Sequence, residues 1–200
     1  MSDEDKYTDL VRDRRQQIFM AAAKVFAKYG YHNSKVSMIA SEAGLGKGTI
    51  YEYVKSKSEL LQLVLEEGHN YVLTKVDEVI EKELEPEQTW KEAIGILFSS
   101  LDEFDDAARA LMPELIGLEI TEFNKMEETA LRFISRFSKI YDSGVKAGVF
   151  RDIDSSIICE MILDSCMLWT KSNSIVERCD GDINKFKDMI FDVTFNGIRK

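Results

Sequence analysis

Residues 30–60 read GYHNSKVSMIASEAGLGKGTIYEYVKSKSEL. Two short helical patterns meet at Gly44 in this stretch, one from about Ser34–Ser37 to Ala43 and one from Lys47 to Val54. Ile39, Ala40, Ala43, Leu45, Ile50 and Val54 fall on inward positions; Ile50 and Val54 are an i, i+4 pair and share one face. Lys47, Gly48, Thr49, Tyr51 and Tyr53 are then left to face outward. Two short helices hinged at a glycine, with lysines and tyrosines outside, are the pattern of a helix-turn-helix, and it points to DNA.

The residue types suit that partner. A helix entering the major groove by its N-terminal end needs small residues and hydrogen-bond donors there. Gly48 lets the backbone come close, Lys47 can reach a guanine edge or a phosphate, and Thr49 offers both a methyl and a hydroxyl to a base. Tyr51 and Tyr53 can donate to phosphates, and Lys35, Ser37 and Lys57 sit near helix starts, where backbone amides also favour phosphate. Glu52 can accept from a cytosine, but pairing with Lys55 at i+3 is the favoured reading.

Helices this short do not persist alone and need a scaffold. One lies upstream: after a tail over residues 1–8 read as disordered, a helix is expected from about Asp9 to Tyr29, with Ile18, Ala22, Val25, Phe26 and Tyr29 as its apolar stripe and Gly30 as its end. Downstream, Ser56 with Glu59 three residues on forms a capping box for a helix reaching about Val79. Further helices are expected at about 87–103, from Asp105-Asp106 through Pro113, at 122–146, at 155–173 with Asp154 as N-cap, and at 183–197. With 2 prolines, 11 glycines and no strand-type alternation, the 200-residue chain is expected to be all-α.

Taken alone, the net charge of −10 argues against nucleic acid, but its distribution reverses that. Residues 10–58 carry nine basic and three acidic side chains, net +6, whereas residues 61–200 carry 16 basic and 28 acidic ones, net −12. A basic head on an acidic body is expected when one end alone touches phosphate. No apolar run approaches a membrane span, the MSDEDK start carries no secretory signal, and three irregularly spaced cysteines suit reduced thiols; the expectation is a cytoplasmic protein without membrane contact.

The head resembles the TetR family of transcriptional regulators. The resemblance is carried by Phe26, Gly30-Tyr31, Ser37, Ile39-Ala40, Ala43-Gly44-Leu45, Lys47-Gly48, Ile50-Tyr51, Tyr53, Lys57 and Leu60. The stretch GVKAGVFRDID at 144–154 is similar to the loop before that family's penultimate helix. Gly46 departs from the family pattern, which often has Ser or Asn there, and Val54 replaces its usual Phe. The resemblance implies about nine helices in a homodimer, a three-helix DNA-binding head, a ligand-binding and dimerisation body, and release of a palindromic operator when ligand binds. On this reading the head spans 9–55 and the body 56–200.

In the body, Trp90, Phe98, Phe104, Met112, Phe123, Met126, Phe133, Met167 and Trp169 are mostly core. A ligand site between helices would draw on such residues, with Trp90, Phe98, Phe104, Met112, Phe133, Met167 and Trp169 as the candidates and a lipophilic small molecule as the effector. Asp102, Glu119 and Asp164 are either solvated or partners for a cationic ligand. Helix 155–173 is apolar on more than one face, so it and the last helix are the candidates for a dimer interface through Ile157, Met161, Cys166, Trp169, Phe186 and Ile190.

Other chemistries find little support. GLGKGT at 44–49 fails as a phosphate-binding loop because Ser41 and Gly48 stand where Gly and Ser/Thr are needed. Cys159, Cys166 and Cys179 lack metal-ligand spacing, so neither metal nor cofactor is expected. Two histidines and no nucleophile–base pairing argue against an enzyme. The expected function is a ligand-released transcriptional repressor; the alternatives are an activator or a helical adaptor without DNA binding.

Overall fold

The apolar periodicity resolves into ten helices in a computed structural model, which describes residues 3–116 and 120–199. Glu119 and the side chains of Phe123 and Met126 lie outside the described residues. The helices are α1 (Asp3–Asn33), α2 (Val36–Glu42), α3 (Lys47–Tyr53), α4 (Lys57–Ile80), α5 (Pro86–Glu103), α6 (Asp105–Ile116), α7 (Ile120–Lys146), α8 (Ser155–Lys171), α9 (Asn173–Arg178) and α10 (Ile183–Ile198). None among the described residues is long and apolar enough to cross a membrane. The helix α1 starts at Asp3, ahead of the Asp9 start expected, and α9 was not anticipated.

The chain divides into two compact units, residues 1–70 with 106–126 and residues 71–105 with 127–200. In the first unit, Ile18, Ala22, Val25 and Phe26 of α1 are buried, as are Ile39, Ala40, Ile50, Val54 and Leu60, whereas Tyr29, expected on the same stripe, is exposed. Gly30 breaks α1 at φ 71°, ψ 166°, a region open to glycine alone. Gly44, at φ 65°, closes α2: its amide donates to the Ser41 carbonyl at 3.1 Å, and Leu45 N donates to the Ala40 carbonyl at 2.8 Å. This pair of bonds satisfies the last carbonyls of α2 while turning the chain toward α3.

The caps follow the sequence with one change. Glu59 N donates to Ser56 Oγ at 3.0 Å, but the Glu59 carboxylate accepts from the amide of Lys55, at 2.7 Å, one residue earlier than a reciprocal box requires. Pro86 opens α5, where its missing N–H costs nothing. Asp154 caps α8 by accepting from the amides of Ser156 and Ile157.

The second unit is organised around aromatic rings. Trp90 of α5 meets Tyr141 of α7 edge-on at 5.5 Å, and Tyr141 stacks on Phe150 at 5.3 Å and 17°. Phe195 of α10 closes this layer against Phe150 at 6.3 Å. The Tyr141 hydroxyl donates to the Arg151 carbonyl at 2.9 Å, and Arg151 N donates to the Ile198 carbonyl at 2.7 Å, so the 147–154 loop is tied to both α7 and the end of α10.

Candidate nucleic-acid interface

The short helix α3 is held from beneath by Ile50, which is fully buried, and by Val54, whose extended backbone follows the helix. Lys47, Gly48, Tyr51 and Glu52 are exposed; Thr49 and Tyr53 are half-buried and flank that face. The outward surface is therefore narrower than the five positions expected, and Glu52 joins it. No ion pair joins Glu52 to Lys55 among the described residues, contrary to the pairing favoured from the sequence. The helix ends at Tyr53 and Val54 is extended, so Lys55 lies beyond α3 and the i, i+3 spacing that would bring it to Glu52 does not hold.

Gly46 stands at the N-cap of α3 in extended conformation and offers no side chain to it. Lys35, the N-cap of α2, and Ser37 in its first turn are both exposed. Lys57 is placed differently from the expectation. Its Nζ donates to the His32 carbonyl at 3.1 Å and lies 4.2 Å from the Tyr31 ring centre, so it closes the end of α1. Burial lowers its pKa, an effect the nearby Glu114 carboxylate opposes. Glu114 of α6 also pairs with His32, Nε2 to Oε1 at 2.9 Å, which brings α6 to the end of the scaffold helix.

Two polar contacts that the sequence did not announce position the motif. Gln17 Nε2 donates to the Ala43 carbonyl at 2.5 Å and so fixes the turn between α2 and α3 to α1. Arg15 places Nε at 2.6 Å from Glu67 and Nη2 at 2.9 Å from Glu66, linking α1 to α4. Glu67 is the buried member of that set, and a carboxylate at such a position requires a charged partner. Neither contact has a local sequence signal, since the partners stand 26 and about 50 residues apart.

The residues expected to line a ligand site are divided between the two units. Trp90, Phe98, Phe133 and Trp169 belong to the buried core of the second unit. Met112 is buried in the first unit. Phe104 is half-buried against Tyr71, with ring centres 5.3 Å apart, and Met167 is half-buried. Asp102 and Asp164 are exposed, so neither is a buried carboxylate awaiting a cation.

The residues expected between subunits also separate. Cys166, Trp169 and Phe186 are buried within the subunit, Trp169 stacking near Phe186 at 5.4 Å and donating from Nε1 to Asp105 Oδ1 at 3.0 Å. These three therefore offer a partner almost no surface, because the subunit's own core claims them. Ile190 is half-buried, and Ile157 and Met161 are exposed. Leu168 on α8 and Met189 and Val193 on α10 extend that exposed apolar surface. Burial raises the thiol pKa of Cys159 to about 11 and of Cys166 to about 12, which keeps both protonated and unreactive at neutral pH. Among the described residues no group of three His, Cys, Asp or Glu side chains is placed to hold a metal ion.

Comparison with known proteins agrees with the head's geometry. Residues 18–64 match the model of the bacterial regulatory proteins of the tetR family. The fatty acid metabolism regulator protein of Bacillus subtilis is 28% identical over 152 residues, covering 76% of this chain and 78% of that protein. The transcriptional repressor KstR2 of Rhodococcus jostii is 25% identical over 154 residues, 76% of each chain. Among solved structures, the transcriptional regulator FadR from Bacillus subtilis, in complex with stearoyl-CoA, superposes with a TM-score of 0.72 at 25% identity, covering 92% of this chain and 98% of that one. Residues 18–64 are thus a helix-turn-helix domain of the tetR regulatory family, and the chain along most of its length is similar in sequence and fold to DNA-binding transcriptional regulators.

Proposed function

We propose that the protein is a homodimeric repressor that binds a palindromic operator through α3 and lets go when a fatty acyl-CoA-type effector occupies the second unit. The observation that carries the reading is the sorting of α3: Ile50 buried beneath, Lys47, Gly48 and Tyr51 exposed above. Lys47 and Thr49 read base edges, Tyr51, Tyr53, Lys35 and Ser37 hold phosphates, and Lys57 braces the end of α1 behind them. The DNA-reading head is residues 9–55, and residues 56–200 serve ligand binding and dimerisation in the cytoplasm. The effector class is supported by the fatty acid regulator among the relatives, by the stearoyl-CoA complex, and by the aromatic interior of the second unit.

Two-fold symmetry would place the heads one DNA turn apart, about 34 Å between half-sites. To switch the protein, the effector must favour the released state; a preference of about 100-fold corresponds to about 2.7 kcal/mol of coupling. Two helices are positioned to carry it. The helix α4 contributes residues to both units, and α6 begins at Asp105, the acceptor of the Trp169 indole, and carries Glu114 to His32 in the head.

The test is a gel shift with DNA flanking the protein's own gene. Salt-sensitive binding that palmitoyl-CoA reverses is expected. Absence of binding by the wild type at low salt would end the regulator mechanism proposed here; binding that palmitoyl-CoA leaves unchanged would end the effector assignment.

For the dimer, the exposed stripe of Ile157, Met161 and Leu168 on α8 with Met189 and Val193 on α10 is the contact surface proposed. Exposed apolar side chains recurring on one face of each helix suit an interaction surface. Met161→Lys combined with Val193→Lys introduces two charges per subunit into that surface, and sedimentation is expected to shift from dimer to monomer without loss of helix content. A double variant that still sediments as the wild type does would rule the surface out.

A further inference from the structure

The second unit holds 14 basic and 22 acidic residues over 71–105 and 127–200, a net charge of −8. Against that background, three cations gather on one face of α7: Arg132, Arg136 and Lys139, at i, i+4 and i+7. With Ser135, Leu131 and Leu73 of α4 they line an open groove of about 480 Å³. The same helix turns Phe133, Ile134 and Phe137 into the aromatic core, so its two faces divide cleanly into apolar and cationic.

The groove is built as well as charged. Asp77 of α4 holds Arg136, with Nη2 donating to Oδ2 at 3.0 Å and Nε facing Oδ1 at 2.9 Å; Oδ1 itself has no hydrogen bond, so that second contact is an ion pair only. The pairing engages one edge of the guanidinium and leaves the N–H groups of Nη1 for another acceptor. Beside the cations, Leu131 is 54% exposed and gives the groove an apolar wall. Three donors of fixed positive charge, a hydroxyl and an apolar wall match a ligand that joins phosphate groups to a flat or apolar portion, and the volume lies in the range of small-molecule sites.

We propose that this α4–α7 groove binds the phosphate-bearing head of a nucleotide-type ligand. On the reading that the effector is an acyl-CoA, on which the identity of the ligand rests, the groove takes the coenzyme A phosphates while the acyl chain is left for the apolar interior behind α7. Arg136 and Asp77 form the fixed floor, and Arg132 and Lys139 close on the phosphates from either side along the helix.

Coenzyme A without an acyl chain, titrated calorimetrically into the full chain, reads the groove alone. Binding that weakens as salt rises is expected, and in Arg132→Ala/Lys139→Ala its affinity falls about tenfold or more, because each lost donor was a charged hydrogen bond. Both residues are exposed, so the variant retains its fold, and Arg132→Lys/Lys139→Arg restores part of the affinity. ADP or inorganic pyrophosphate binding with the same dependence on these two residues, and more tightly than coenzyme A, supports the groove and assigns it to free nucleotides. The proposal is overturned if coenzyme A does not bind the wild type, or if the double variant binds it as the wild type does. Operator release by palmitoyl-CoA is read separately. Release at the same concentration from wild type and double variant removes the groove and keeps the effector. Groove binding of coenzyme A without release by palmitoyl-CoA keeps the groove and removes the effector.

Discussion

Gly144→Ala is expected to destabilise the second unit by about 3 kcal/mol, the size of a severe overpacking or a displaced buried aromatic. A methyl group added at Gly144 would overlap the Cδ2 and Cε2 atoms of the Phe150 ring. The ring has nowhere to go. It is fully buried, stacked on Tyr141, edge-on to Trp90 at 6.1 Å and packed against Phe195 at 6.3 Å. The backbone is no freer, because the amides of Val149 and Phe150 both donate to the Gly144 carbonyl, at 2.9 and 3.2 Å. For a chain of 200 residues this corresponds to a fall in melting temperature of about 6–12 °C. Denaturant unfolding of the variant measures it. A change below about 1 kcal/mol would show that the ring relaxes at little cost, against the close packing of interiors. Gly144→Ala with Phe150→Leu should recover part of the loss, which separates the steric cause from any backbone effect.

Lys47→Ala is expected to weaken operator binding about a hundredfold or more, since the dimer proposed above would lose the contact twice and each base-edge contact contributes about 1–3 kcal/mol. The side chain is exposed at the first position of α3, so stability should not change and the loss reads binding alone. The effect should depend on sequence, being largest where the wild type prefers guanine. Tyr51→Phe provides the contrast: it removes a phosphate donor, and its smaller loss should be alike on operator and unrelated DNA. Filter binding of both variants on the two DNAs distinguishes them. Equal affinity of Lys47→Ala and wild type for the operator would remove α3 as the reading element.

Much of the head was legible because its signals are local. Gly44 needs the positive φ that it adopts, at 65°, and the inward list of Ile39, Ala40, Ala43, Ile50 and Val54 is buried throughout, with Leu45 half-buried. Capping chemistry at Asp154 lies within a few residues of its partners, which is why it could be anticipated, and α5 begins at Pro86, one residue before the Glu87 start expected. By contrast α9, only six residues long, rests on Ser172, whose hydroxyl accepts from the Ile175 amide after α8 has ended; a lone serine in a polar stretch is a weak start signal.

What the sequence by itself determined is the all-helical character of the chain with the order of every helix but α9, the basic head on an acidic body, and the inward side of the helix-turn-helix motif. Each follows from spacing, charge and turn chemistry within a dozen residues. Tertiary structure alone decided which face of an apolar-rich helix meets which neighbour. On α8, nothing in the local pattern distinguishes Trp169, bonded to Asp105, from Leu168, left exposed. Only the approach of α10, with Phe186 against Trp169, makes the choice. The same holds for Arg15 with Glu66 and Glu67, for Gly144 under Phe150, and for the cationic stripe of α7, which becomes a groove when α4 brings Leu73 and Asp77 alongside. Side-chain packing is a property of pairs distant in sequence, and periodicity along one helix names the faces without naming their partners.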